Sequence, residues 1–298
     1  GKINDVFEFS GRFSKIDSDG YVDRAYSDLK SYFIQGTYLK GSTLIKAISF
    51  AGHEKTYQSW YGLTMDQLKE NRRQNPYTYE NEIDNYKQDH YQLHWNEKIN
   101  NFWSFNLGLN YTYGRGYFEQ YRKDDNIDTY GGIVSSDTNL NGEKTDTTDL
   151  IRRRWLDNDF YVFNSSLNFI KNKIDLTISS SYSSYVGDHF GEVIWARTFS
   201  SNGKIRDRYY EGLGEKKDLS FFTKLLYSID EKIEFYSDLQ YRNVKYNTSG
   251  TTSDLVNMVI DKSYGFFNPK IGLSYKLNPN SLLYVSYARA NREPNRTD

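Results

Sequence analysis

Four histidines and one run of three arginines are the residues of this 298-residue chain whose types and spacing invite chemistry. His90 and His94 sit in Asp89-His90-Tyr91-Gln92-Leu93-His94. On a strand a spacing of four puts both on one face, but about 13 Å apart at about 3.3 Å per residue, too far to share an ion without a kink. They are expected as histidines of an aqueous face. His53-Glu54 and Asp188-His189 offer no fuller ligand set, and no metal site is expected. No Ser, His and Asp constellation follows from the spacing. Asp124-Asp125 and the Asp157/Asp159 pair read as solvated loop carboxylates. Gly114-x-Gly116 has no helix signal after it, so it reads as a bulge or kink in a strand rather than a phosphate loop. With 0 Cys, disulfides, thiolate metal sites and cysteine nucleophiles are removed together. Nothing here calls for a catalytic residue or a cofactor, and no enzyme is expected.

Arg152-Arg153-Arg154-Trp155 is the strongest cluster. Three guanidiniums beside an indole, where a long loop re-enters a strand, suit an anionic ligand or salt bridges to neighbouring loops. Trp60-Tyr61, Tyr77 with Tyr79, and Trp195 with Tyr209-Tyr210 add aromatic surface to the long loops. Such side chains suit planar or sugar-like ligands, and equally suit loop-to-loop packing. Arg152, Arg153, Arg154, Trp155, Trp60, Tyr61 and Trp195 are therefore the candidate ligand-binding residues.

The elements that must carry them follow a rhythm. Asn168 to Leu176, Ile229 to Ile233 and Leu277 to Leu282 hold connections of two to four residues, whereas Tyr61–Tyr86, Arg122–Asn158 and Gly187–Lys217 are long and polar. Short turns at one end and long loops at the other are the mark of a transmembrane β-barrel. About eleven strands are predicted, near residues 3–16, 27–40, 43–58, 87–98, 102–122, 156–170, 173–186, 217–229, 232–246, 265–277 and 282–290.

Composition agrees: 28 Tyr, 18 Phe and 5 Trp against 2 Met and 4 Pro favour pleated strands over helices. A mean hydropathy of -0.80 looks soluble, but lipid-facing residues occupy only alternate positions of a barrel strand. No apolar run reaches the length of a transmembrane helix, and Gly1-Lys2-Ile3-Asn4-Asp5 is not a signal sequence. The net charge of -1 gives no reason to expect nucleic acid. Alternation is clearest where Trp103, Phe105, Leu107, Leu109, Tyr111 and Tyr113 oppose Ser104, Asn106, Gly108, Asn110 and Thr112. Ile174, Leu176 and Ile178, then Ile233, Phe235 and Leu239, then Ile271, Leu273 and Tyr275 repeat it. An odd strand count with two open edges is not tolerated in lipid, so the chain is expected to be a piece of a larger barrel.

Phe267-Asn268-Pro269-Lys270-Ile271-Gly272-Leu273-Ser274-Tyr275, followed by Leu283-Tyr284-Val285-Ser286-Tyr287-Ala288-Arg289-Ala290-Asn291-Arg292-Glu293-Pro294-Asn295, resembles TonB-dependent receptors of the outer membrane. There an N-P-K-x-G-x-x-Y strand leads through a short periplasmic turn into an L-Y-x-S-Y-A strand. Pro269 fits the strand start and Pro279 the turn. Gly11-Arg12-Phe13-Ser14, Tyr111-Thr112-Tyr113-Gly114-Arg115-Gly116-Tyr117 and Arg152-Arg153-Arg154-Trp155-Leu156-Asp157 extend the resemblance along the chain.

The resemblance implies an all-β fold, an antiparallel transmembrane β-barrel of about 22 strands, of which residues 1–298 hold about half. It implies a plug domain and C-terminal strands outside this chain, contact with outer-membrane lipid and lipopolysaccharide, and energy drawn from the TonB-ExbB-ExbD complex through the plug. The implied activity is import of a small scarce ligand such as an iron-siderophore, haem or cobalamin. A glycan importer of the same architecture, a passive porin or barrel adhesin, and a soluble β-sandwich are the competing readings.

Overall fold

A computed structural model describes residues 1–138 and 141–294; Asn295, at the end of the motif above, lies outside the described residues. Eleven strands form one sheet in which each strand pairs antiparallel with the next in the chain. They are β1 (Phe7–Ser18), β2 (Ser27–Lys40), β3 (Thr43–Tyr57), β4 (Ile83–Lys98), β5 (Trp103–Asn126), β6 (Thr147–Lys171), β7 (Ile174–Ala196), β8 (Arg208–Ser228), β9 (Ile233–Thr251), β10 (Asn257–Asn278) and β11 (Ser281–Ala288). The single α-helix among the described residues, α1 (Met65–Glu70), lies between β3 and β4. It starts at Thr64, whose hydroxyl accepts from Gln67 N–H while the Gln67 side chain accepts from Thr64 N–H, a reciprocal capping box.

Short-range hydrogen bonds explain the tight turns. Asn100 Oδ1 accepts from Phe102 and Trp103 N–H, and Asp230 Oδ1 from Lys232 and Ile233 N–H, so side chains replace the missing ladder partners. Asn172, between β6 and β7, takes the left-handed conformation with φ 51, which asparagine tolerates.

Eleven strands match the expected number, but the strands of the β5–β8 region run further than apolar periodicity shows. Much of Arg122–Asn158 and Gly187–Lys217 is ladder rather than loop, leaving residues 127–146 and 197–207 as connections. In these outer stretches both faces carry polar or aromatic side chains, so alternation persists while apolar alternation does not. Asp157 and Asp159 accordingly lie in the β6 ladder, not in a loop, and Asp124-Asp125 lie at the outer end of β5.

Two further expectations are corrected. Gly114 and Gly116 cause no register shift; they leave room for the Tyr86 side chain on the neighbouring strand, and a Cβ on Gly116 would meet the Asn85 carbonyl at 2.3 Å. Pro269 stands inside β10 rather than at its start. Its carbonyl accepts from Arg289 N–H just past the last β10–β11 pair, Lys270 with Ala288, so its missing N–H falls where β11 leaves the sheet.

Period two divides the sheet into two faces. The outward face carries an apolar belt that includes Leu93, Leu109, Phe163, Ile178, Phe221, Leu239 and Ile271, all exposed. Aromatic side chains edge it: Trp95 with Phe105 and Trp103 with Phe169 toward the short turns, and the stacked Tyr91–Tyr111–Tyr161 series toward the long connections. The inner face carries polar side chains, on which the segment after β11 folds back: Glu293 is paired with Lys216 of β8 and Arg242 of β9.

Candidate functional site

The site lies on the inner face at the outer end of β4–β8. The connection from β5 to β6 opens with a 3-10 turn at Ile127–Tyr130 and tucks Tyr130 against the sheet, 0% exposed. Tyr130 packs with Val134, Leu150, Val193, Ala196 and Tyr209, the main buried apolar cluster. Two β-bulges make this cluster: register shifts at Ile151/Arg152 and at Gly191/Glu192. The second turns Tyr209 to the same side as Tyr210, their rings 5.0 Å apart, over Gly191, where no larger residue fits beneath the two rings.

Below that cluster runs a continuous row across five strands. Asp84 of β4 pairs with Phe118, Phe118 with Arg154, Arg154 with Gly191, and Gly191 with Tyr210. Trp60 reaches from the β3–β4 connection to lie edge-on to Phe118, 5.6 Å between centroids, and Tyr61 leans on Tyr77 at 5.2 Å. Arg154 Nε donates to Tyr209 Oη at 3.3 Å, and its guanidinium lies 5.8 Å over the Tyr210 ring. Arg152, one row further out, donates to Tyr130 Oη and to Gln120 Oε1 and is buried. Among the described residues neither Arg152 nor Arg154 forms an ion pair, although Arg153 between them does.

The rows beneath are rich in glycine. Gly116, Leu156, His189, Gly212 and Gly250 stand in one, and Gly114, Asn158, Gly187 and Gly214 in the next. Tyr86 covers Gly114 and Gly116, and Tyr185 covers Gly187, but a Cβ on Gly212 or Gly214 would meet nothing nearer than 3.5 Å. An open hollow therefore lies below the Arg154–Tyr210 contact.

The wall is pinned from the β3–β4 side by a buried polar network. Gln58 donates to the Ile83 carbonyl, Asn75 to the Gln58 and Asp23 carbonyls, and Tyr79 Oη to Glu119 Oε1 at 2.7 Å. Glu82 is 2% exposed and accepts from Tyr121 N–H at 3.0 Å. Burial pushes its carboxyl up to about 7, against the opposing influence of that N–H and of Arg122. Burial and the Glu119 contact together push the Tyr79 hydroxyl up to about 12.

The family model for the TonB-dependent receptor-like β-barrel matches residues 10–298. This chain belongs to the TonB-dependent receptor family. Similar solved structures agree on the fold. The open form of the ferric-catecholate import receptor Fiu from E. coli K12 superposes with a TM-score of 0.64 at 12% identity, over 99% of this chain and 52% of that one. The unliganded ferric citrate transporter FecA gives 0.64 at 11%, over 96% and 39%, and the copper transporter OprC 0.62 at 11%, over 97% and 41%. The chain thus spans about half or less of the length of these receptors. No curated protein matches the sequence.

In this TonB-dependent receptor barrel the arginine run is not one cluster, because the strand splits it. Arg152 and Arg154 point inward, whereas Arg153 and Trp155 point outward. Arg153 Nε pairs with Glu119 Oε2 at 2.7 Å and lies 4.2 Å over Tyr117, and Trp155 Nε1 donates to Glu192. Trp195 also lies on the outward side, paired with Ile151 and 42% exposed. The site therefore joins Trp60 and Tyr61 with Arg152 and Arg154, and leaves Arg153, Trp155 and Trp195 apart. His90 stacks on Phe50 at 4.3 Å and bonds Thr112, His94 bonds Gln92, and His53 bonds Asn85. No group of three metal-ligating side chains occurs among the described residues. Sequence reasoning missed Phe118, Tyr130 and the glycine rows. Phe118 continues the inner alternation of β5 and was legible in principle; Tyr130 owes its place to a connection whose path no local pattern records.

Proposed function

We propose that this chain forms about half of the barrel wall of an outer-membrane receptor that imports a small, scarce, anionic chelate of the ferric-siderophore kind. The observation that carries the reading is the inner row Trp60–Phe118–Arg154–Tyr210 above a hollow at Gly212 and Gly214. A guanidinium without a carboxylate partner among the described residues recognises an anionic ligand, flanking aromatic rings hold a planar one, and the hollow admits bulk. The similar receptors for ferric catecholate and ferric citrate support the class. In this reading the plug and the remaining strands belong to the parent outside this chain, and the TonB-ExbB-ExbD complex drives release through the plug.

The test uses the full-length parent in cells. Its abundance in outer membranes is expected to rise under an iron chelator, and uptake of radiolabelled ferric catecholate is expected to require TonB. Arg154→Ala and Gly214→Phe are each expected to lower that uptake about tenfold or more while heat-modifiable mobility stays unchanged. Uptake that is indifferent to TonB would establish a passive pore instead. Uptake of oligosaccharide but not of ferric catecholate would establish a glycan importer, a role for which exposed Trp60 and Tyr61 offer stacking surfaces.

A further inference from the structure

The segment that follows β11 leaves the ladder and lies on the inner face of β8–β10. Asn291 holds it there: its N–H and its side-chain amide donate to Asn268 Oδ1 at 2.8 and 3.0 Å, and Asn268 Nδ2 donates back to the Asn291 carbonyl at 3.3 Å. Two residues on, Glu293 is 9% exposed, with donors on both carboxylate oxygens. Lys216 Nζ donates to Oε1 at 2.8 Å, Arg242 to Oε2 at 2.7 Å and to Oε1 at 3.0 Å, and Tyr246 Oη to Oε1 at 3.4 Å. The two terminal nitrogens of Arg242 form the fork that fits a pair of anionic oxygens. Its Nε edge is taken by Asp218. Apart from Glu293, then, this holder sets two cations against one carboxylate, and Lys262 of β10, exposed and in register with Tyr246, adds a further ammonium to the row.

The holder stands directly beneath the hollow. Inner-facing residues of β8 run Tyr210, Gly212, Gly214, Lys216, so Lys216 is the first side chain below the two open glycines. It lies about 20 Å along the strand from Tyr210, at about 3.3 Å per residue. The Arg154–Tyr210 contact thus marks the outer edge of the hollow, and Lys216 its floor. Glu293 reaches that floor from a segment outside the ladder, so it can withdraw without breaking a strand pair. We propose that Lys216, Arg242 and Tyr246 form a second anion site, deeper than Arg154, which Glu293 fills in this structure and yields to a pair of anionic oxygens on the incoming ligand. One anion leaves as another arrives, so the cations are never left unmatched on a part-buried face, where that would be costly. The exchange also frees the segment around Glu293 from the wall. The identity of the incoming anion rests on the proposed import of an anionic chelate; the site itself does not.

The test uses the purified full-length receptor, its Glu293→Ala variant, which opens the site, and Glu293→Ala/Lys216→Gln, which also removes a cation. Malonate, a plain dicarboxylate, is the first probe. At millimolar concentration it is expected to raise the melting temperature of Glu293→Ala by several degrees and to leave the wild type and the double variant almost unmoved. Ferric catecholate is the second probe, followed by quenching of tryptophan fluorescence. Glu293→Ala is expected to bind it about threefold more tightly than the wild type or better, having no carboxylate to displace, and the double variant to lose that gain. An equal malonate response in wild type and Glu293→Ala, or none in either, would overturn the proposal. So would measurable ferric catecholate binding that is equal or weaker in Glu293→Ala, the result a purely structural clasp gives. A malonate response confined to Glu293→Ala, with no ferric catecholate bound by any of the three proteins, would uphold the site and remove the chelate reading. Heat-modifiable mobility checks that each barrel is folded; if the alanine variant fails that check, Glu293→Gln replaces it with the same expectations.

Discussion

Glu82 makes the pH response of the outer wall calculable. Its carboxyl is 2% exposed, accepts one backbone N–H and is raised from 4.5 to about 7 by burial. Each pKa unit is worth about 1.4 kcal/mol, so the ionised form is about 3 kcal/mol less favourable here than in water. A raised carboxyl means that the folded wall holds a proton that the opened wall releases. Its stability is therefore greatest below pH 4.5 and falls as pH rises toward 7, above which the full cost is present. Between pH 5.5 and 8 the change amounts to about 2 kcal/mol, or roughly 30-fold in the local opening constant. Glu82→Gln keeps an oxygen for Tyr121 N–H but cannot ionise, so it removes this dependence. The assay is hydrogen exchange of the Gln58–Glu82 segment and the Tyr121 amide in the full-length receptor, corrected for intrinsic exchange at each pH. The wild type is expected to lose about 30-fold protection from pH 5.5 to 8, and the variant far less. Parallel pH profiles for the two proteins, or a variant that opens more than the wild type at pH 8, would refute the reasoning.

Three further outcomes are expected. Leu109→Arg places a charge in the outward apolar belt and should cost about 2–4 kcal/mol, read from urea titration of folding into liposomes. Arg242→Met strands the Asp218 carboxylate and leaves Glu293 to Lys216 alone; the loss should be about 1–3 kcal/mol, and cross-linking from position 293 to β9 should fall. Tyr130→Ala empties the centre of the buried cluster; with a typical cost of about 3–5 kcal/mol for a large aromatic, residues 127–146 should become cleavable by dilute protease while the lower barrel stays heat-modifiable.

Legibility in the sequence follows the physics of each region. The lower sheet was readable because lipid imposes apolar side chains at every second position, as in Trp103 to Tyr111, and because Asn100 and Asp230 shape short turns with local bonds and Asn172 with its left-handed backbone. The outer ends of β5–β8 were not, because water on one side and a tucked connection on the other remove the apolar signal while the ladder continues. The candidate site was half readable. Residue types pointed to arginine and aromatic side chains, and the period-two rule would have separated Arg153 from its neighbours had the strand been known to begin at Thr147. The bulge that turns Tyr209 inward, and the burial that perturbs Glu82, arise from contacts far apart in the chain.

The splitting of Arg152-Arg153-Arg154-Trp155 by one strand also bears on how such a receptor can diversify. Neighbouring codons write opposite sides of a wall one residue thick. A substitution at 152 or 154 alters the inner surface, and one at 153 or 155 alters the outward surface, with little cross-talk between the two. Insertion or deletion of a single residue in β6 exchanges the two inventories from that point onward. Point mutation can therefore retune either surface gradually, whereas a frame-preserving length change in the same strand is tolerated only when a second bulge restores the phase.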